Sequence, residues 1–518
     1  MSSEPQLDLE IEITPEIEKL LKEIGDIFDD EKIEQIARDV GFVKRKSKLT
    51  GHLFMVVFTF AMNTYGTPTL AQLVDLLKFV ANVNIKREGF YQRIKDEAVD
   101  FFQAMLSQVL KVKVSELLKL DILDAFNRLI ILDSTAFQLP PELAEHFRGS
   151  GGSASPSAVK IQFGYDLLSS QFFHVVQDGT CPDNSYKNGF IEQVQKGDLH
   201  IRDLGYSNVL VLIEIDQARA YYLSRLKSQV TLYIKNELGE LVEFDLETFL
   251  TKIGDNVVEI ELYLKKGDKS AATRLVIEAV PDELKAERLR KLNKINKKKG
   301  RVTKKRTKLW QGFNLYISNA PYQMARFTKK EWANLSENHP KVANQIGEDA
   351  REGENYVYIN VKKLSNDYEV CILDLIKKAT ITILVATDFR RLYSIRWQIE
   401  LIFKNWKSNF ALDKISGKKS ERIKCMIYAK LLYIFITSKI ISVAKSVAWK
   451  RNRREVSELQ AGQHFKVVSS EWLRIAINSP DQILNMLRKS LETLICDCLK
   501  SKQSTRTYPL DILEQIFS

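Results

Sequence analysis

Apolar positions in the first 120 residues recur at spacings of three and four, which predicts amphipathic helices over 15–40, 49–63, 69–82 and 94–118. Within this region, TLAQLVDLLKFVANVNIKREGFYQRI (69–94) reads as a helix, an Asn-containing break and a second helix from near Ile85. A helix-turn-helix reads this way, with Lys86, Arg87, Tyr91 and Gln92 on its second helix; two packed amphipathic helices read the same. After residue 128 the pattern changes. RLIILD (128–133) is a short apolar run ending in an acid, suited to a strand buried on both faces. GSGGSASPS (149–157) is a loop, and VKIQFGYDL (159–167) with QFFHVVQDG (171–179) forms a hairpin around Ser169-Ser170. A helix over 187–196, a strand ending at Asp203, a helix over 208–218 and a strand over 221–226 complete a mixed α/β unit.

From 228 to 320 the alternation is that of strands, in VTLYI, LVEFDL, VVEIELYL and TRLVIEAV. Residues 322–386 carry no clear period, although AREGENYVYINVKKL and ATITILVA read as added strands. A helix follows over 388–408, then an apolar helix over 423–446 and a helical C-terminus. Residues 425–442 are the most apolar stretch, but Lys430 and Lys439 interrupt it, so it reads as a buried helix and not a membrane span.

The helix at 388–408 contains YSIRWQIELIFKNWK (393–407). At about 100° per residue, Tyr393, Arg396, Glu400 and Lys407 fall within roughly 60° of one another. Ile395, Ile399, Ile402, Phe403 and Trp406 form an apolar stripe on the other side. One face is built to pack. The other presents a carboxylate among two cations and a phenol.

Charge narrows the function. The 518 residues carry a net +11, with a dense basic stretch, RLRKLNKINKKKGRVTKKRTK, over 288–308. Such a balance points to a polyanion. The acidic N-terminus lacks the apolar core of a signal peptide, and the five cysteines lack zinc-site spacing, so a cytoplasmic, reduced protein with no membrane partner is expected. Asp133 and Asp203 each close a predicted strand, where functional side chains of α/β sheets emerge. Singly, an acid after a strand is ordinarily a turn residue, and Arg396 with Glu400 an ordinary helix pair. Together, three carboxylates on separate elements suit divalent metal, magnesium above all. Arg396 and Lys407 suit phosphates, and Tyr393 suits a phosphate or a base.

These residues carry a resemblance. Tyr393, Arg396, Glu400 and Lys407 match the Y-(2)-R-(3)-E-(6)-K motif of the DDE transposases of bacterial insertion sequences. ILDST (131–135) resembles that family's strand-end aspartate, DLGY (203–206) its second aspartate motif, and YYLSRLK (221–227) is similar too. The resemblance implies an α/β fold: an RNase H-like mixed-sheet catalytic core over 121–227 and 387–415, interrupted by a mainly β insertion over 228–386. A helical DNA-binding region over 1–120 and a helical C-terminal region over 416–518, a candidate for dimerisation, flank it. Asp133, Asp203 and Glu400 become the catalytic, metal-binding triad, with two Mg²⁺ ions for which Mn²⁺ substitutes. The implied activity is cut-and-paste transposition on double-stranded DNA, at terminal inverted repeats and a target, by a homodimer in a synaptic complex. Tyr393, Arg396 and Lys407 become DNA contacts, joined by Lys86 and Arg87 at the N-terminus and Arg301 and Lys304 in the basic stretch. Trp310 is the candidate for stacking on a flipped base. A silent DNA-binding protein and a nuclease without strand transfer are the alternatives.

Overall fold

A computed structural model of the chain describes residues 14–112, 125–167, 169, 171–254, 257–298, 300–347, 350–352, 356–361, 370–501 and 508–517. The apolar run 129–132 lies inside a ten-stranded sheet, two strands from one edge. Its strands are β1 (Leu129–Gln138), β2 (Ala158–Asp166), β3 (Phe172–Asp178), β4 (Leu199–Arg202), β5 (Tyr221–Arg225), β6 (Tyr233–Lys235), β7 (Leu241–Glu243), β8 (Val258–Lys266), β9 (Lys269–Ala279) and β10 (Phe313–Ser318), in the order β3-β2-β1-β4-β5-β10-β9-β8-β6-β7. β1, β4 and β5 run parallel, and the remaining pairs are antiparallel. Leu129 to Leu132 are buried without exception, as a run covered on both faces requires.

The last pair of β1 with β4 is Leu132 with Arg202, so the next residues along the two strands are Asp133 and Asp203. Asp203 does follow the end of its strand, and caps a 3₁₀ turn over Leu204–Tyr206. Asp133 does not. β1 continues to Gln138 because its other neighbour, β2, keeps pairing with it, and there the burial changes from continuous to alternating. The expected strand end at Asp133 is instead the point where the parallel neighbour stops.

The strands of 233–318 have no sheet of their own: β10 pairs with β5 and carries the sheet outward through β9 and β8. The basic stretch falls on an exposed helix, Asp282–Lys298, which buries no residue, and on the helix Lys305–Trp310. Residues 323–382 form a second sheet from β11 (Gln323–Thr328), β12 (Arg351–Glu352), β13 (Tyr356–Asn360) and β14 (Thr380–Thr382). Phe327, Leu335, Ile346, Ile359 and Ile376 make its core.

Four helical expectations change. The 15–40 pattern splits into Pro15–Gly25 and Asp30–Asp39, because Asp29 caps the second helix by accepting from the Lys32 N–H at 2.8 Å. The second helix of the candidate helix-turn-helix is one short turn, Arg87–Tyr91, after which Asp96–Lys111 begins; the expected stretch beyond 112 lies outside the described residues. Residues 187–196 form two 3₁₀ turns, Tyr186–Gly189 and Ile191–Gln193, in place of a helix. Phe190 between them takes φ 53° so that its ring packs against Phe173, 4.9 Å away, and with Ile130, Leu132 and Tyr206. The helix at 388–408 is broken into Phe389–Ser394 and Trp397–Ser408.

N- and C-terminal helices share one core. Phe60 of Gly51–Tyr65 meets Tyr433 of the long helix Ser420–Asn452 at 5.4 Å and Trp472 of Glu458–Asn478 at 6.3 Å. The Ser420–Arg451 stretch is long and apolar enough to cross a membrane, but 89% of its most apolar window is buried inside the protein.

Candidate active site

The apolar stripe on Trp397–Ser408 explains where Glu400 goes. Ile399, Ile402, Phe403 and Trp406 are buried, and Trp406 meets Phe163 edge-on at 4.8 Å. Phe163 is the cross-strand partner of Asp133, so both side chains lie on the face that this helix covers. The far side of the helix is held by Glu458–Asn478. A Cβ on Gly462 would stand 1.9 Å from Asn405 Oδ1, so glycine alone permits this approach, and Asn409 Nδ2 donates to the Leu459 carbonyl at 3.1 Å.

The break before this helix is a tightening, not a bend away. The N–H groups of Ile395, Arg396, Gln398 and Ile399 each donate three residues back, at 2.9–3.2 Å. Three residues per turn eclipse positions i and i+3, which stacks Tyr393 over Arg396. The Arg396 guanidinium carbon lies 5.9 Å from the centre of the Tyr393 ring.

Arg396 sits among the three acids. Its Nη2 donates to Glu400 Oε1 at 2.8 Å, while Nε stands 3.6 Å from Asp203 Oδ1 and Nη1 3.8 Å from Asp133 Oδ2. Tyr393 OH donates to Asp203 Oδ1 at 3.2 Å. Asp133 Oδ1 accepts the Ser134 N–H at 2.7 Å, and Asp203 Oδ2 the Gly205 N–H at 3.2 Å. Burial pushes the Asp133 carboxyl up to about 6, with Asp203 and Glu400 adding to the rise and the Ser134 N–H and Arg396 opposing it. Burial works against the Arg396 charge, but Asp203, Tyr393 and Glu400 outweigh it and hold the guanidinium above its usual range. Burial, helped by Asp203, raises the Tyr393 phenol, which therefore remains a donor.

A second layer supports the strand acids. Asp183 Oδ1 accepts from Ser134 Oγ at 3.0 Å, Gln162 Nε2 at 3.0 Å and Lys160 Nζ at 3.2 Å. The Gln162 carbonyl in turn accepts from Tyr206 OH. Sequence reasoning passed over Asp183, Gln162 and Lys160. The available signal was Lys160 and Gln162 two apart in an otherwise apolar strand, two polar side chains aimed at one buried face.

Three carboxylates are the hard oxygen donors that a divalent cation takes. As they stand they surround a guanidinium, and among the described residues no three Asp, Glu, His or Cys side chains are close enough to one another to hold a metal ion. The donor chemistry fits the metal; the present spacing fits Arg396.

Of the other expected residues, Lys407 is half-exposed, and Lys86, Arg87, Arg301 and Lys304 are exposed. Trp310 is 9% exposed, packed in the core of the outer strands with Arg306 5.4 Å over its ring. Stacking on a base requires it to leave that core.

Residues 124–436 match the transposase DDE domain, a span that contains Asp133, Asp203 and Glu400. The chain belongs to the DDE transposases. It is 30% identical over 470 residues to the transposase for insertion sequence element IS231E of Bacillus thuringiensis subsp. finitimus, covering 88% of this chain and 86% of the relative. The IS231B transposase of Bacillus thuringiensis subsp. berliner is 29% identical, over 94% and 92% of the two chains. The IS1151 transposase of Clostridium perfringens is 26% identical, over 96% of each. This transposase is therefore an enzyme that cleaves and transfers DNA, of a family that works with divalent metal ions.

Proposed function

We propose that this transposase moves an insertion sequence by cut-and-paste, with Asp133, Asp203 and Glu400 as its metal-binding triad. The observation that carries the reading is the convergence of three acids from β1, the end of β4 and the glutamate helix around one point. The preferred metal is Mg²⁺, two ions, with Mn²⁺ as substitute. Bound there, the ions supply Lewis acidity for in-line displacement at phosphorus. Water breaks a phosphodiester P–O bond at the element end and leaves a 3′-hydroxyl; that hydroxyl then attacks a target phosphodiester and displaces its 3′-oxygen. β1 and the end of β4 orient Asp133 and Asp203, and Tyr393 offers its phenolic proton to an acceptor beside Asp203. Arg396 and Lys407 hold DNA phosphates near the cut, Arg396 once it is free of the acids. The substrate is double-stranded DNA bearing the terminal inverted repeats, brought together by a homodimer in the cytoplasm. Lys86, Arg87, Arg301 and Lys304, all exposed, serve as outlying phosphate contacts.

Glu400→Ala should abolish Mg²⁺-dependent cleavage of DNA carrying the element ends while sparing end binding in a gel shift. Cleavage at the wild-type rate by this variant would remove Glu400 from the triad. Wild-type protein that binds ends but never cuts is a silent DNA-binding protein, and one that cuts without joining a 3′-hydroxyl to target is a nuclease.

A further inference from the structure

The three nitrogens of the Arg396 guanidinium face three different carboxylates: Nη2 Glu400, Nε Asp203 and Nη1 Asp133. None of the acids is gripped by two nitrogens, although a bidentate fork is the strong mode for an arginine and a carboxylate. The 2.8 Å contact to Glu400 is a hydrogen bond, whereas 3.6 and 3.8 Å to Asp203 and Asp133 are charge contacts only. Nε, though buried, has no hydrogen-bond partner among the described residues. The guanidinium is shared among the acids, and it is loosely held for a side chain only 8% exposed. It brings one positive charge to three carboxyl groups, so the site retains an appetite for cations.

Arg396 also has somewhere to go. It stands at the start of the glutamate helix, in the tightened turn, beside Trp397. Trp397 is 58% exposed, and its ring centre is 5.4 Å from the guanidinium carbon. The buried stripe of the helix does not use this tryptophan. An exposed indole face is a good resting place for a guanidinium. The guanidinium therefore already bridges the acids and the exposed rim of the site, where a DNA phosphate can meet it.

We propose that Arg396 is the resident counter-ion of the carboxylate site, and that divalent metal and the guanidinium compete for Asp133, Asp203 and Glu400. Without metal, Arg396 holds the acids together. When metal enters, Arg396 gives up the acids, keeps the exposed Trp397 face it already touches and becomes available to phosphate, so metal loading and the grip on DNA are linked through one side chain. This rests on the triad reading above, and its test separates the two.

The test is a Mn²⁺ titration of the full-length protein without DNA, followed by calorimetry, on wild type, Arg396→Gln, Arg396→Lys and Asp133→Asn. Arg396→Gln keeps the length of the side chain and removes its charge. It should bind Mn²⁺ about tenfold more tightly than wild type, the scale of one charge-assisted hydrogen bond removed from the competing state. Arg396→Lys, which keeps a charge without the fork, should fall between them. In a thermal melt, Mn²⁺ should raise the midpoint of Arg396→Gln by more than that of wild type. Equal or weaker Mn²⁺ binding by Arg396→Gln, or an equal rise in midpoint, overturns the competition. Should Arg396→Gln fail to fold, Arg396→Lys decides: tighter Mn²⁺ binding than wild type supports the competition, and equal or weaker binding overturns it. If Asp133→Asn binds Mn²⁺ as wild type does, the triad itself is wrong, and the competition falls with it.

Discussion

Asp133 on β1 and Asp203 at the end of β4 lie beside a buried hydrogen-bond network, whereas Glu400 stands on a helix whose polar links to those acids run through Arg396 and Tyr393. On the strand side, Ser134, Gln162 and Lys160 meet at Asp183, and Gln162 passes the connection on to Tyr206 of the turn that Asp203 caps. Gln162 is completely buried, and its amide spends one end on each neighbour. On the helix side, the anchors are apolar and run its length, from Ile395 and Ile399 to Ile402 and Trp406, while Asn405 lies against Gly462 of the neighbouring helix. The N-terminal end is a tightened turn. The difference suggests a division of labour: the two aspartates are preset by the sheet, and the helix end is where the site adjusts to its ligands.

Breaking the strand side should have the largest effect. Gln162→Leu keeps the volume but deprives both Asp183 and Tyr206 of a buried partner. It should cost about 1–3 kcal/mol in urea unfolding, the scale of one buried polar group left unsatisfied: the Tyr206 hydroxyl loses its acceptor, while Asp183 keeps Ser134 and Lys160. Cleavage should fall with it. A cost below about 1 kcal/mol would mean that the network does not stiffen the strand side.

A smaller effect is expected behind the same strands. Lys439 of the long C-terminal helix is fully buried, and its Nζ has no hydrogen-bond partner among the described residues. Burial brings it from an ordinary 10.5 down to about 8, with Asp166 at the end of β2 opposing the fall. The unfolded chain therefore holds this proton more tightly than the folded one. Stability should rise as pH rises from about 8 to about 10.5, and the cost of the buried charge is present in full below about 8. Lys439→Met should raise stability at pH 7 by about 2 kcal/mol and flatten that slope, measured by thermal melts across pH. An unchanged slope would place the charge elsewhere.

The smallest effect tests the outer end of the glutamate helix. Lys407→Ala should weaken binding to element ends and reduce the slope of log affinity against log salt by about 1, the signature of one lost phosphate contact. An unchanged slope would remove Lys407 from the DNA face.

The residues that meet at the site were legible where chemistry followed from spacing along one element. Tyr393, Arg396 and Glu400 could be placed on one face from the helix period, and the stripe from Ile395 to Trp406 announced what the other face would do. The tightened turn was not legible, because Ile395 and Arg396 carry no helix-breaking residue. Asp133 reads as a strand end because the apolar run stops there; only the pairing with β2 shows why the strand goes on. Phe190 defeated the helix expected around it because its ring packs on residues distant in sequence. Asp183 was hidden for the same reason: it sits in a polar loop, and its partners become partners only when β1 and β2 align. The sheet order, with the outer strands continuing from β5 through β10, likewise depends on pairings that no local pattern records.

The most direct test is a crystal structure of the full chain with Mn²⁺, located by anomalous scattering. Metal should appear among Asp133, Asp203 and Glu400, with Ser134, Gln162, Asp183 and Tyr206 where they stand now and the Arg396 guanidinium no longer between the acids. Manganese bound elsewhere with Arg396 still in place, or metal in the site with the strand-side network rearranged around it, would contradict this.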